Sequence, residues 1–214
     1  MLLLTILSVF FLWLIFRELF PGKDRLGKFD GFTLFYIAIL TSLAFVCARV
    51  PYQYWKLETL LAKTAAEFAE VDEVDVHCNS LFESVFYENY SFGSFTMAGL
   101  AFIEQKKIIL QYPWCRHLMN YLDDPYDADA DEQFSLPLFT HEVMHIRGER
   151  SEPKTECQAI QRNYDVAIAL GVPDLLAENN ALEYYRNTYP THAYFNRDCA
   201  KGKPWDEQLD DSIW

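Results

Sequence analysis

The residues with the clearest chemical promise are His141-Glu142-Val143-Met144-His145. On a helix, side chains four apart share a face, so both imidazoles can address one ion. Glu142, next to the first histidine, is then placed to hold a water on that ion and take its proton. Zinc lowers the pKa of such a water to about 7. The implied chemistry is attack of that water on a carbonyl, with Zn2+ as cofactor and Glu142 as general base. The surrounding residues predict the helix. Pro137 suits an early helical position, Leu138, Phe139, Val143 and Met144 are apolar, and Gly148 is a natural stop.

A catalytic zinc takes three protein ligands and keeps one position open. Position 151 is Ser, so the longer three-histidine pattern is absent. Three glutamates compete for the third place. Glu149 follows His145 across the Gly148 break, which makes reaching back awkward. Ser151-Glu152-Pro153 reads as a helix start, with Ser as N-cap and Pro in the first turn, and that helix should run through Leu170. Glu152 and Glu156 share its face. Ala159 and Ile160 follow Glu156 on the side that should be buried, and the small Ala159 lets the two helices approach. The expected order is Glu156 first, Glu152 second, then Glu149. Tyr164, Tyr184, Tyr185 and His192, all C-terminal to the motif, are candidates to stabilise a developing oxyanion. His77 and His117 are not at ligand spacing.

These residues need elements to hold them. Leu57, Leu60, Leu61, Ala65 and Phe68 recur at helical spacing within Tyr54 to Val71. Val74 to Cys78 alternates like a short strand. Thr96 to Ile103 and Lys107 to Leu110 read as a hairpin, although its turn lacks Gly. Pro113 to Leu122 reads as a helix. The acidic run Asp123 to Glu132 begins like a calcium loop. Glu132 stands where that loop needs Gly, and Leu138 where it needs Glu, so a solvated acidic loop is expected. The fold class is α+β, with a short sheet and an active-site helix pair.

The apolar residues gather at the N-terminus. Leu2 to Phe16 and Gly31 to Cys47 carry no charge, and each approaches the length of a transmembrane helix. Residues 1–50 are expected to be a two-helix membrane anchor, and 51–214 a separate domain. Arg17, Lys23, Arg25 and Lys28 lie between the two runs, which favours a cytoplasmic linker with both ends outside the cell membrane. Residues 51–214 carry 28 acidic against 13 basic side chains, which excludes a nucleic-acid binder relying on a basic face. Cys78, Cys115, Cys157 and Cys199 form an even set in this domain, consistent with disulfides in an oxidising compartment. Cys78 and Cys115 flank the hairpin. Cys157 lies on the second metal helix and Cys199 in the polar C-terminal segment. The favoured pairs are Cys78–Cys115 and Cys157–Cys199.

His141-Glu142-x-x-His145 followed by Glu156-Cys157-Gln158-Ala159 resembles the gluzincin clan of zinc metallopeptidases, whose signature is H-E-x-x-H with a later E-x-x-A. The resemblance implies a zincin-like domain with His141, His145 and Glu156 as ligands and Glu142 as general base. It also implies that one strand of the hairpin binds the substrate backbone. The interval from His145 to Glu156 is short for the clan, and Ile160 stands where some members have Asp. The chain is also similar to small bacterial membrane-anchored or secreted proteins. These combine a His-Cys pair, an isolated Cys, H-E-x-x-H-x-x-G-E, T-E-C and a Cys near the end. Here those are His77-Cys78, Cys115, His141 to Glu149, Thr155-Glu156-Cys157 and Cys199. The expected function is a membrane-anchored zinc metallopeptidase acting on peptides or proteins. The alternative is an inactive module of the same fold with a structural or partner-binding role. Glu142 favours the enzyme, because a structural site needs no general base. Cleavage inside the membrane is disfavoured, since Arg147, Glu149 and Arg150 surround the motif.

Overall fold

The computed structural model describes residues 2–20, 31–81, 83 and 98–209. Lys23, Arg25 and Lys28 of the basic linker, and positions 96 and 97 of the expected hairpin, lie outside the described residues. The chain divides into two compact units, Met1–Leu57 and Glu58–Trp214.

The first unit holds helix α1 (Leu2–Leu19) and most of helix α2 (Gly31–Phe68), both long and apolar enough to cross a membrane. Most of their large side chains face outward, as Leu2 and Phe32 show at 75% exposure each. One buried polar contact joins them: Ser8 Oγ donates to the Ala44 carbonyl at 3.2 Å. Pro51 opens the segment expected to be a separate domain. The helix instead runs through it, although proline lacks the N–H that would bond the preceding turn.

The second unit is α+β. Its small sheet has the order β1 (Asp75–Cys78), β3 (Lys107–Leu110), β2 (Gly99–Phe102). β1 pairs with β3 in parallel and β2 pairs with β3 antiparallel. The turn between β2 and β3 manages without glycine because a 3-10 turn at Ile103–Gln105 delivers Lys106 into the left-handed region at φ 49°. Among the described residues, β2 forms a sheet edge.

Helix α3 (Trp114–Asp123), α4 (Ala130–Arg147), α5 (Glu152–Ile160), α6 (Asn163–Ala169) and α7 (Asp174–Glu183) follow. A π-helical turn at Tyr184–Thr188 and a 3-10 turn at Tyr189–Thr191 come next. α4 is the hub, packing on α3, α5, α6 and the sheet. Phe139, Val143, Met144 and Ile146 bury its other faces. Two expectations are corrected here. The acidic run is not all loop: Asp129 caps α4 and Glu132 lies in its first turn. The Glu132 N–H bonds Asp129 Oδ1 at 2.9 Å, and the Asp129 N–H bonds Glu132 Oε2 at 3.2 Å. This reciprocal cap, with carboxylates at the positive end of the helix dipole, starts the helix at Ala130 and leaves Pro137 in its interior. The helix expected from Ser151 to Leu170 is two helices, α5 and α6. They part where Gln161 turns its amide to the Trp205 carbonyl and Arg162 pairs with Glu207.

Both favoured cysteine pairs are bridged. Cys78–Cys115 ties β1 to α3 with a Cα separation of 5.7 Å, and Cys157–Cys199 ties α5 to the C-terminal segment at 5.5 Å.

Candidate metal centre

Gly148 ends α4 in a left-handed turn at φ 117°, a conformation costly for any residue with a Cβ. The chain then reverses over three residues into α5. Glu149 Oε1 fastens the reversal by accepting the N–H groups of Arg150 and Ser151, both at 2.9 Å. The Ser151 hydroxyl makes no capping bond. This tight connection sets the first residue of α5, Glu152, against the two histidines of α4.

His141 Nε2 lies 3.0 Å from Glu152 Oε2, and His145 Nε2 lies 3.4 Å from the same oxygen. One ligand atom from each of the three residues falls within 4.8 Å of the others. The opposite nitrogens are held in turn. His141 Nδ1 donates to Glu156 Oε2 at 2.8 Å, and His145 Nδ1 donates to the Glu149 carbonyl at 2.8 Å. The structure thus groups Glu152, and not the first-ranked Glu156, with the two Nε2 atoms. Glu156, one helical turn beyond Glu152, stands on the Nδ1 side of His141, away from the converging Nε2 atoms. Face-sharing along α5 is the same for both residues, and only the reversal at Gly148 tells them apart. The Glu156 carboxylate is buried, and its Oε1 accepts the Tyr184 hydroxyl at 2.5 Å.

Two imidazole nitrogens and one carboxylate oxygen suit zinc. Histidines that ligate a metal generally donate their second N–H to a carboxylate or carbonyl, as both do here. The same contacts set the electrostatics of the metal-free site. Burial opposes charge on His141, but the carboxylates on its two nitrogens outweigh it and raise its pKa to about 10. The same contacts hold Glu152 well below the usual carboxylate range. Burial pushes the Glu142 carboxyl up, partly countered by the two histidines. Burial, then the Glu156 charge, pushes the Tyr184 phenol far above its ordinary value, so it remains a donor.

Glu142 lines a cleft of 850 Å³ together with His141, His145, Glu152 and Glu156. One wall is β2. The Gln111 N–H bonds the Ala98 carbonyl, so in an antiparallel ladder Leu100 and Phe102 turn their polar groups to β3. Gly99 and Ala101 then turn theirs to the open edge. Gly99 is a residue that the motif reading missed. A Cβ built on it would stand 2.7 Å from Glu142 Oε1 and 2.8 Å from Cγ. A glycine inside an apolar strand was its only sequence signal. The other wall is Phe134, Leu138, Tyr184, His192 and Tyr194. Tyr194, also missed, stacks on the His141 ring at 5.6 Å and 20°. No local pattern points to it, because the Cys157–Cys199 bridge tethers the segment that brings it there.

The remaining candidates separate. His192 lines the cleft, while Tyr164 is half-buried and donates to Asp174, and Tyr185 stacks on Tyr189. His77 pairs with Glu58 at 3.2 Å. His117 joins Asp129 and Glu132 in a second group of possible ligands, which the sequence spacing does not suggest. That group coincides with the cap of α4. Comparison with family models, with curated proteins and with solved structures finds no match to this chain.

Proposed function

We propose that this protein is a membrane-anchored, zinc-dependent peptidase. The observation that carries the reading is the convergence of His141 Nε2, His145 Nε2 and Glu152 Oε2, with each histidine held through its Nδ1. Glu142 lies beside that group in an open cleft. His141, His145 and Glu152 hold the zinc. When bound, zinc supplies a Lewis acid that polarises the scissile carbonyl and acidifies water. A carboxylate oxygen of Glu142 takes the proton from the attacking water and returns it to the departing amine. The raised pKa of this buried carboxyl suits both halves of that transfer. Among the described residues Gly99 and Ala101 each leave an N–H and a C=O at the open edge, on which an extended peptide adds as a further strand. His192 and Tyr194 are the groups on the opposite wall nearest to the role of oxyanion donor.

α1 and α2 serve as the anchor, and the two disulfides support an oxidising, extracytoplasmic setting for the catalytic unit. The basic residues Arg17, Lys23, Arg25 and Lys28 support a cytoplasmic linker.

The test uses the purified full chain in detergent. Wild type should bind one equivalent of zinc and cleave members of a broad peptide library. Glu142→Gln should keep the metal and lose the cleavage, because an amide cannot take the proton. A wild-type protein that holds zinc yet cleaves no peptide overturns the peptidase reading. A Glu142→Gln protein with wild-type turnover removes Glu142 from the mechanism.

A further inference from the structure

We infer that Tyr184 is a positioning residue for the metal centre, acting through Glu156 on His141; the inference rests on the zinc reading above. The geometry is a chain of two hydrogen bonds through one carboxylate. Tyr184 Oη donates to Glu156 Oε1 at 2.5 Å, and Glu156 Oε2 accepts from His141 Nδ1 at 2.8 Å. Glu156 is 3% exposed and Tyr184 6%, so water does not readily substitute for either partner.

The phenol settles which way the carboxylate faces. With the phenol in place, both oxygens of Glu156 have a donor and the group has one satisfied orientation. Without it, Oε1 is a buried acceptor lacking a partner, which costs more than the bond itself is worth. A carboxylate that turns to find that oxygen another partner gives up its bond to His141. The imidazole then loses the acceptor that fixes its ring and presents Nε2 toward Glu152 and the ion. Outer partners of this kind typically change metal affinity by about 10–100-fold.

The fold devotes structure to holding the phenol there. Tyr184 opens the π-helical turn Tyr184–Thr188, a local widening that often marks functional positions. It belongs to a buried cluster with Cys157, Ile160, Tyr189 and Cys199, so the disulfide next to Glu156 packs on the ring that bonds Glu156. Tyr184 and Glu156 are 28 residues apart, and this cluster brings them together.

The experiment measures zinc affinity of the full chain in detergent, by competition with a chelating indicator, for wild type and four variants. Tyr184→Phe should weaken binding about tenfold. Glu156→Gln should weaken it at least as much. The double variant should bind no more weakly than Glu156→Gln alone, because the phenol acts only through that carboxylate. Tyr185→Phe, the neighbour that stacks on Tyr189, should bind as wild type does. If Tyr184→Phe has wild-type affinity but a lower melting temperature, the residue is merely structural and the inference is overturned. If the two single effects multiply in the double variant, the path through Glu156 is overturned. A wild type that binds no zinc defeats both this inference and the peptidase reading. A wild type that binds zinc, shows the expected series and cleaves nothing leaves the relay standing and defeats only the peptidase reading.

Discussion

Gly99→Ala tests how closely the sheet edge and the proposed general base, Glu142, depend on one another. The added Cβ would meet three atoms of one side chain: Glu142 Oε1 at 2.7 Å, Cγ at 2.8 Å and Cδ at 3.0 Å. Ordinary contact begins at 3.4 Å, so the closest approach falls about 0.7 Å short. The strand does not yield readily, since Gly99 is in register with Leu110 and Ala98 is bonded to Gln111. Glu142 is 6% exposed, and Cγ as well as the carboxylate lies in the way, so a turn of the carboxylate alone does not relieve the clash. Overpacking of this kind costs about 1–3 kcal/mol. For a domain of this size that lowers the melting temperature by roughly 2–12 °C. Displacing the base by most of an ångström should lower turnover on the order of 100-fold. Zinc should stay bound, because the three atoms nearest the new methyl group all belong to Glu142. The assay is peptide turnover with metal content and a thermal melt on the same preparation. A second arm places Gly99→Ala in a Glu142→Ala background. There the side chain that clashes is gone, and the added methyl should change stability by less than about 0.5 kcal/mol. Wild-type turnover and an unchanged melt in the single variant would refute the steric argument. So would an equal loss of stability in both backgrounds.

Three further outcomes are expected. His141→Ala, His145→Ala and Glu152→Ala should each lose the zinc, while Glu156→Ala should retain it at reduced affinity; elemental analysis showing the reverse for the two glutamates would restore Glu156 as the ligand. The metal-free protein should lose stability as pH rises. His141 has a pKa of about 10 in the fold against 6.5 for an ordinary histidine, so its contribution is complete below pH 6.5 and disappears as pH passes through about 10. Denaturant titrations across that window check the sign, and a metal-free protein that gains stability over it contradicts the assigned contacts. Replacing both Cys157 and Cys199 by Ala should cost about 4 kcal/mol in the chain-entropy account. Their separation is 42 residues, and a loss well under 1 kcal/mol in chemical denaturation would show that the bridge constrains little.

The sequence announced the motif helix, the hairpin and both disulfides because each leaves a local or countable mark. Two histidines four apart mean one face, and a short apolar run such as Lys107 to Leu110 means a strand. The start of α4 also has a local mark. Asp129-x-x-Glu132 is a capping pattern, and the density of acids around it drew attention to calcium instead. Other features had no local mark. Glu152 and Glu156 lie on the same side of the same helix, and the reversal through Gly148, Glu149 and Ser151 decides which meets the ion-facing nitrogens. The break between α5 and α6 depends on Glu207, which is 45 residues from Arg162 in sequence. The parallel pairing of β1 with β3 is likewise a property of the assembled sheet.

The Cys157–Cys199 bridge also changes what a break in the backbone means. Between those cysteines the chain exposes the start of α7, where Leu175 is 75% accessible, and such a site invites a neighbouring protease. A cut there would make two polypeptides but not two molecules. The sulfur link keeps Tyr184, His192 and Tyr194 attached to the helix that carries Glu152 and Glu156. On a denaturing gel the nicked protein would migrate as one species without reductant and as two with it. The cleft wall therefore has a second covalent path to α5, independent of the peptide bonds between them. Damage to the surface loop can accumulate without releasing that wall.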